Sequence, residues 1–126
     1  MRLPTIPVSF GELYDKYTIL QIKSEKIRDE NKLLIVRKEI DYLKPFINEI
    51  KIDKHIIIKL KEVNEKLWLV EDNIRNKERK KEFDNDFIEL ARMVYITNDE
   101  RNKIKIEIDK ILNSDISDIK SYSEYK

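Results

Sequence analysis

The sequence predicts an all-α fold: a helical bundle with a long antiparallel coiled-coil-like hairpin and a shorter C-terminal helix pair. Three observations carry this. Apolar residues recur three and four apart over most of the chain, as helices with one buried face require. Charged residues make up 40% of the chain, equal to the apolar share, and 26 Lys and Arg balance 25 Asp and Glu. A disordered chain combines low hydrophobicity with high net charge, so this balance instead describes amphipathic helices with solvated outer faces. Gly11 is the only glycine. One glycine is too few for a β-rich fold with tight turns, for a phosphate-cradling loop or for a dinucleotide fold.

Residues 1–8 carry Pro4 and Pro7 and should be extended. Ser9 then caps a first helix, Glu12 three residues on completes a capping box, and Val8 and Leu13 flank it as a hydrophobic staple. Its stripe is Leu13, Tyr17, Leu20, Ser24 and Ile27, widened by Ile19 and Ile22. After the polar break Arg28-Asp29-Glu30-Asn31, a second helix carries Leu33, Val36, Ile40, Leu43, Ile47 and Ile50. Pro45 lies inside this run and either ends the helix near Tyr42 or Lys44 or kinks it.

Ile56, Leu60, Val63, Leu67, Val70 and Ile74 fall on an a/d heptad. They place a third helix from Asp53 to Lys81, paired antiparallel with the second. Asp84 caps a fourth helix, with Phe83 and Ile88 as staple and Phe87, Leu90, Ala91 and Val94 inside. Thr97-Asn98-Asp99-Glu100 is another capping signal, so a break is expected near Ile96. A fifth helix would then carry Ile104, Ile108, Ile111 and Leu112. Residues 114–126 are rich in Ser and Tyr and carry no stripe; they read as a tail that docks or stays loose. A chain of 126 residues fits one domain, spanning 1–126.

There is no cysteine, hence no disulfide, thiolate nucleophile or cysteine metal site. His55 stands alone next to Lys54 and reads as a surface residue, so no metal and no cofactor is expected. A net charge of +1 gives no global attraction to nucleic acid or to an anionic membrane. Met1-Arg2-Leu3-Pro4 lacks the apolar run of a signal peptide, and no stretch is long enough to span a bilayer. The expected location is the cytoplasm, with neither nucleic acid nor membrane as partner.

Several polar groupings are candidates for a site. Glu12, Asp15 and Lys16 lie at the start of the first helix beside Gly11, where free N–H groups can hold an anion. Glu71 and Arg75 are four apart, the favourable spacing for a helical ion pair, with Asp72 between them. Arg92, Tyr95, Asn98, Asp99, Arg101 and Lys105 cluster around the expected bend. Such a group either binds an anion or builds a buried hydrogen-bond network. The basic helix end from Arg75 to Lys81 complements the helix dipole and is interrupted by Glu78.

Four blocks of residues resemble a known family. They are Pro7-Val8-Ser9-Phe10-Gly11-Glu12-Leu13 with Asp15-Lys16, Thr18-Ile19-Leu20 and Ile22-Lys23; Leu67-Trp68, Glu71-Asp72, Ile74-Arg75 and Glu78; Phe83-Asp84, Phe87-Ile88, Leu90-Ala91-Arg92, Val94-Tyr95, Asn98-Asp99 and Arg101; and Lys120-Ser121-Tyr122 with Tyr125. The chain resembles an uncharacterised family of small bacterial and phage-associated helical proteins, a domain of unknown function. The resemblance implies no activity. It does imply that Glu12, Asp15, Lys16, Glu71, Asp72, Arg75, Arg92, Asn98, Asp99 and Arg101 belong to one surface, and these are the candidate ligand-binding residues.

With no nucleophile–base pair in view, the first reading is a non-catalytic interaction or structural module. It would act as a small helical oligomer, a homodimer, with a protein partner also conceivable. The alternative is an anion-binding protein or metal-dependent enzyme acting on a phosphorylated or nucleotide-sugar ligand.

Overall fold

A computed structural model describes residues 1–125; Lys126, the last residue of the expected tail, lies outside the described residues. Among the described residues there are four helices and no strand: α1 (Phe10–Lys26), α2 (Glu30–Glu49), α3 (Lys54–Lys80) and α4 (Asn85–Ile111). No helix is long and apolar enough to cross a membrane.

Each start is written in a short acceptor side chain. Ser9 Oγ accepts from the Glu12 amide at 3.0 Å, Asp29 from Lys32 at 3.1 Å, Asp53 from His55 at 2.9 Å and Asp84 from Phe87 at 3.0 Å. The capping box at Ser9 is only half used, because the Glu12 carboxylate turns to Lys105 Nζ at 2.8 Å. Phe83 sets its ring edge-on against Phe87, with centroids 5.2 Å apart. α2 runs through Pro45 to Glu49. Asp41, whose carbonyl loses its partner to the proline, is exposed, so water can satisfy it.

α3 ends at Lys81, which takes the left-handed conformation with φ 58°. The Glu82 amide returns to the Lys77 carbonyl at 3.0 Å and closes the last turn. Lys77 Nζ then holds Asp84 at 2.9 Å and Glu82 at 3.1 Å across the connection. These bonds hold Lys77 above the ordinary lysine value, and the Lys77 bond holds Asp84 below the usual carboxylate range.

Two sequence expectations are corrected here. The break near Ile96 does not form, so the shorter C-terminal pair is one continuous helix, α4. Thr97 is fully buried inside it, and Ile104 and Ile108 extend the same buried stripe. A helix end at Thr97 would strip that stripe from the core, and tertiary burial outweighs a local capping signal. The long antiparallel hairpin joins α3 to α4, not α2 to α3: α3 packs on α4 and α1, whereas α2 packs on α1 alone. A heptad shows that a face is buried without naming the helix that buries it.

The core lies where α1, α3 and α4 meet, around Tyr14, Leu60, Ile104 and Ile108. Phe10, Ile56, Val63 and Leu112 pack against it, and Ile47, Ile50 and Ile52 close one end. α1 is buried on two sides. Leu20 belongs to the apolar stripe read from the sequence, while a second face of Gly11, Asp15 and Thr18 is buried as well.

Candidate functional site

That second face carries the most unusual chemistry in the molecule. α1 and α4 come so close that a Cβ on Gly11 would lie 2.4 Å from the Lys105 carbonyl oxygen. The Gly11 amide donates to Asp109 Oδ1 at 2.6 Å, and Ser117 Oγ donates to Asp109 Oδ2 at 2.8 Å. One turn along α1, Asp15 is 2% exposed. Its Oδ1 accepts from Asn64 Nδ2 of α3 at 3.0 Å, and its Oδ2 faces Arg101 Nη2 of α4 at 3.2 Å. The same Asn64 amide donates to Thr18 Oγ1 at 3.0 Å, and the Thr18 hydroxyl donates in turn to the Asp15 backbone carbonyl at 3.0 Å. Buried polar atoms survive in a core when they are partnered in this way.

Lys105 sits at the centre, its side chain 4% exposed. Besides Glu12 it faces Asp118 Oδ2 at 3.3 Å and Asp15 Oδ2 at 3.9 Å. Burial alone would lower its pKa; the bond to Glu12 and the charges of Asp15 and Glu12 outweigh burial and raise it. Asp118 is held below the usual range by its bond to Lys120 first and to Lys105 second. Arg101, Lys105 and Lys120 thus meet Glu12, Asp15 and Asp118, three cations against three carboxylates, while Asp109 is held by neutral donors.

The segment after α4 completes the arrangement. Ser114 Oγ accepts from the Phe10 amide at 3.4 Å. Ser117 and Asp118 bind Asp109 and Lys105 as above, and the Tyr125 ring meets Tyr95 edge-on at 5.2 Å. The segment therefore runs back along α4. Beneath it lies a cavity of about 360 Å³ lined by Tyr95, Asn98, Asp99, Arg101, Asn102, Lys105, Lys120 and Tyr122. On the other side of Arg101 a shallower space of about 300 Å³ is lined by Ile19, Asn64, Trp68, Glu71, Asp72 and Arg75.

The candidate residues therefore divide. Glu12, Asp15 and Arg101 share the buried network. Asn98 and Asp99 line the first cavity, Glu71, Asp72 and Arg75 the second, and Arg101 borders both. Lys16 lies apart, paired with Glu39 of α2 at 2.8 Å. Arg92 is also apart, exposed and bonded to Glu89 at 3.0 Å. Thr18, Asn64 and Asp109 were not among the candidates read from the sequence. Asn64 follows Val63 at the edge of an apolar heptad, and Asp109 is four residues beyond Lys105 on one helix face. Those were the available signals, and neither is specific. Among the described residues, no three His, Asp or Glu side chains converge as metal ligands would.

Fold and site together define a small all-helical bundle protein whose buried charges are spent on internal pairing. The chain belongs to DUF6165, a family of unknown function, whose family model matches residues 5–125. No curated protein and no solved structure matches the chain.

Proposed function

We propose that this chain is a non-catalytic interaction or structural module of the cytoplasm that acts as a small helical oligomer, most simply a homodimer. The observation that carries this is the outer face of α2. That helix packs on α1 alone, and Ile35, Tyr42 and Phe46 on it are 69%, 55% and 60% exposed. Spaced seven and four apart, they form one stripe. Large side chains bury on the order of 150–250 Å² each, so this stripe offers roughly 350 Å² of apolar surface. Two copies face to face would remove roughly 700 Å², nearly half of a standard-size interface, before any neighbour is counted. A twofold dimer needs only this one self-complementary patch.

Light scattering on the eluting protein tests the reading. A mass of two chains is expected, falling to one in an Ile35→Asp, Phe46→Lys double variant of unchanged helicity. A wild-type monomer at the highest soluble concentration would overturn it. The alternative, a protein for phosphorylated or nucleotide-sugar ligands, has weaker support. Arg75 is paired with Glu71, Arg92 with Glu89 and Arg101 with Asp15, so none of the three arginines lacks a carboxylate.

A further inference from the structure

Where α1 faces the end of α2 and the start of α3, the bundle leaves a cavity walled mainly by hydrocarbon. Its volume is about 380 Å³, within the range of small-molecule sites. Ile47, Ile50, Ile52, Ile57 and Ile58 line it, and none of them is fully buried, so each keeps apolar surface open to it. The polar part of the lining is one-sided. Tyr14, Tyr17, Gln21, Lys54 and Lys61 all carry donors and no carboxylate joins them, whereas the cavities beside α4 hold Asp99 or Glu71 and Asp72. Tyr14 is 3% exposed, yet its hydroxyl bonds to no other described residue. Among the described residues, the side-chain polar atoms that are both partnerless and sealed from solvent are Thr97 Oγ1 and Asn102 Oδ1. The Tyr14 hydroxyl is not one of them, so it reaches the cavity that Tyr14 lines. Burial raises the Tyr14 pKa, and the hydroxyl therefore keeps a proton to donate. Lys61 is held by Glu25 at 2.6 Å, but Lys54 has no ion-pair partner among the described residues. Glu49 and Asp53 flank the cavity in the chain but lie outside its lining, and Asp53 is engaged in capping α3 through the His55 amide.

We propose that this cavity is a binding site for an amphipathic monocarboxylate, a medium-chain fatty acid, with its alkyl chain along the isoleucines and its carboxylate on Lys54 and the Tyr14 hydroxyl. An alkyl chain covers apolar surface that the fold leaves wet, with a gain proportional to the area removed from water. The head group has to accept, because the lining offers donors and no carboxylate. An ammonium head meets Lys54 with like charge, and an alcohol head forgoes the charge-assisted bond. At roughly 30 Å³ for a water-sized group, the cavity holds about twelve such groups, close to the size of decanoate. The site shares no residue with the Ile35, Tyr42 and Phe46 stripe, so it stands or falls apart from the dimer.

The test is an amide NMR titration of the full chain with octanoate, decanoate and dodecanoate, each below its micelle concentration, with octan-1-ol and octylammonium as comparisons. Decanoate should give saturable shifts at one site per chain, centred on Tyr14, Gln21, Ile50 and Ile57. Affinity should rise about fourfold for each further methylene that the cavity buries. Octan-1-ol and octylammonium should bind about tenfold more weakly than octanoate, the worth of a bond to a charged group. Lys54→Glu should weaken octanoate by about the same factor and leave octan-1-ol unchanged. Tyr14→Phe keeps the ring and removes only the partnerless hydroxyl, and it should weaken octanoate about threefold or more. Ile58 is 53% exposed, so Ile58→Asp should fold normally and abolish binding of every chain length. No saturable shift with any of the carboxylates overturns the proposal. Octylammonium binding as tightly as octanoate, carboxylate binding indifferent to both Lys54→Glu and Tyr14→Phe, or shifts spread over the α2 stripe overturn it too.

Discussion

Gly11→Ala opposes two effects of known size. In an isolated helix the change should stabilise, because alanine exceeds glycine in helix propensity by about 1 kcal/mol. Gly11 has no left-handed backbone angle to protect, so its conformation alone would welcome alanine. The close approach of α4 says the opposite. The new methyl would sit 2.4 Å from the Lys105 carbonyl oxygen, 2.9 Å from its carbon and 3.0 Å from Asp109 Oδ1. Two of those atoms are backbone, which cannot swing aside, so the helices must part. Overpacking of this kind costs about 1–3 kcal/mol. Parting also stretches the 2.6 Å bond from the Gly11 amide to the Asp109 carboxylate, and bonds to charged groups contribute about 1.5–3 kcal/mol. After subtracting the propensity gain, a net loss of about 2–4 kcal/mol is expected. With an unfolding entropy near 2.1 cal/mol/K per residue, the midpoint should drop by about 8–15 °C. Thermal unfolding followed by circular dichroism measures this directly. A variant as stable as the wild type, or more so, would refute the reasoning, because propensity would then have outweighed the helix contact.

Other perturbations read different parts of the molecule. Asp15→Ala removes the partner of the Arg101 guanidinium and one partner of the Asn64 amide; Arg101 keeps access to water, so a loss of about 1–3 kcal/mol is expected, measurable by urea unfolding. Arg92→Ala removes exposed contacts with Glu89 and Tyr95 and should change stability by less than about 0.5 kcal/mol in the same assay. Leu60→Ala, at a fully buried position where α3 meets the core, should cost about 2–5 kcal/mol. The raised pKa of Lys105 makes its contribution complete below the ordinary lysine value and lost as pH rises through the raised value. Stability should therefore fall on the alkaline side, with Tyr14, raised chiefly by burial, acting in the same direction. Glu12→Gln should flatten the Lys105 part of that fall, and an unchanged alkaline slope would show that Glu12 does not hold Lys105.

The sequence by itself determined that the chain is helical, where three of its four helices start and which residues are apolar enough for the core. Those features are local: a cap is one side chain reaching an amide three residues on, and an amphipathic stripe follows from the helix period. Ser9, Asp53 and Asp84 were legible for that reason. Partnership was not. The heptad of α3 fits α2 or α4 equally well in one dimension, and only three-dimensional packing assigns it to α4 and α1. Thr97 carries the same local signal whether it caps a helix or lies buried within one. The site follows the same rule. Asp15, Asn64 and Lys105 are distant in sequence and individually ordinary, because surface and buried charges share the same letters. Only the tertiary structure brings them within bonding distance, and the residue that permits the closest approach is Gly11, the one position without a side chain to hold α1 and α4 apart.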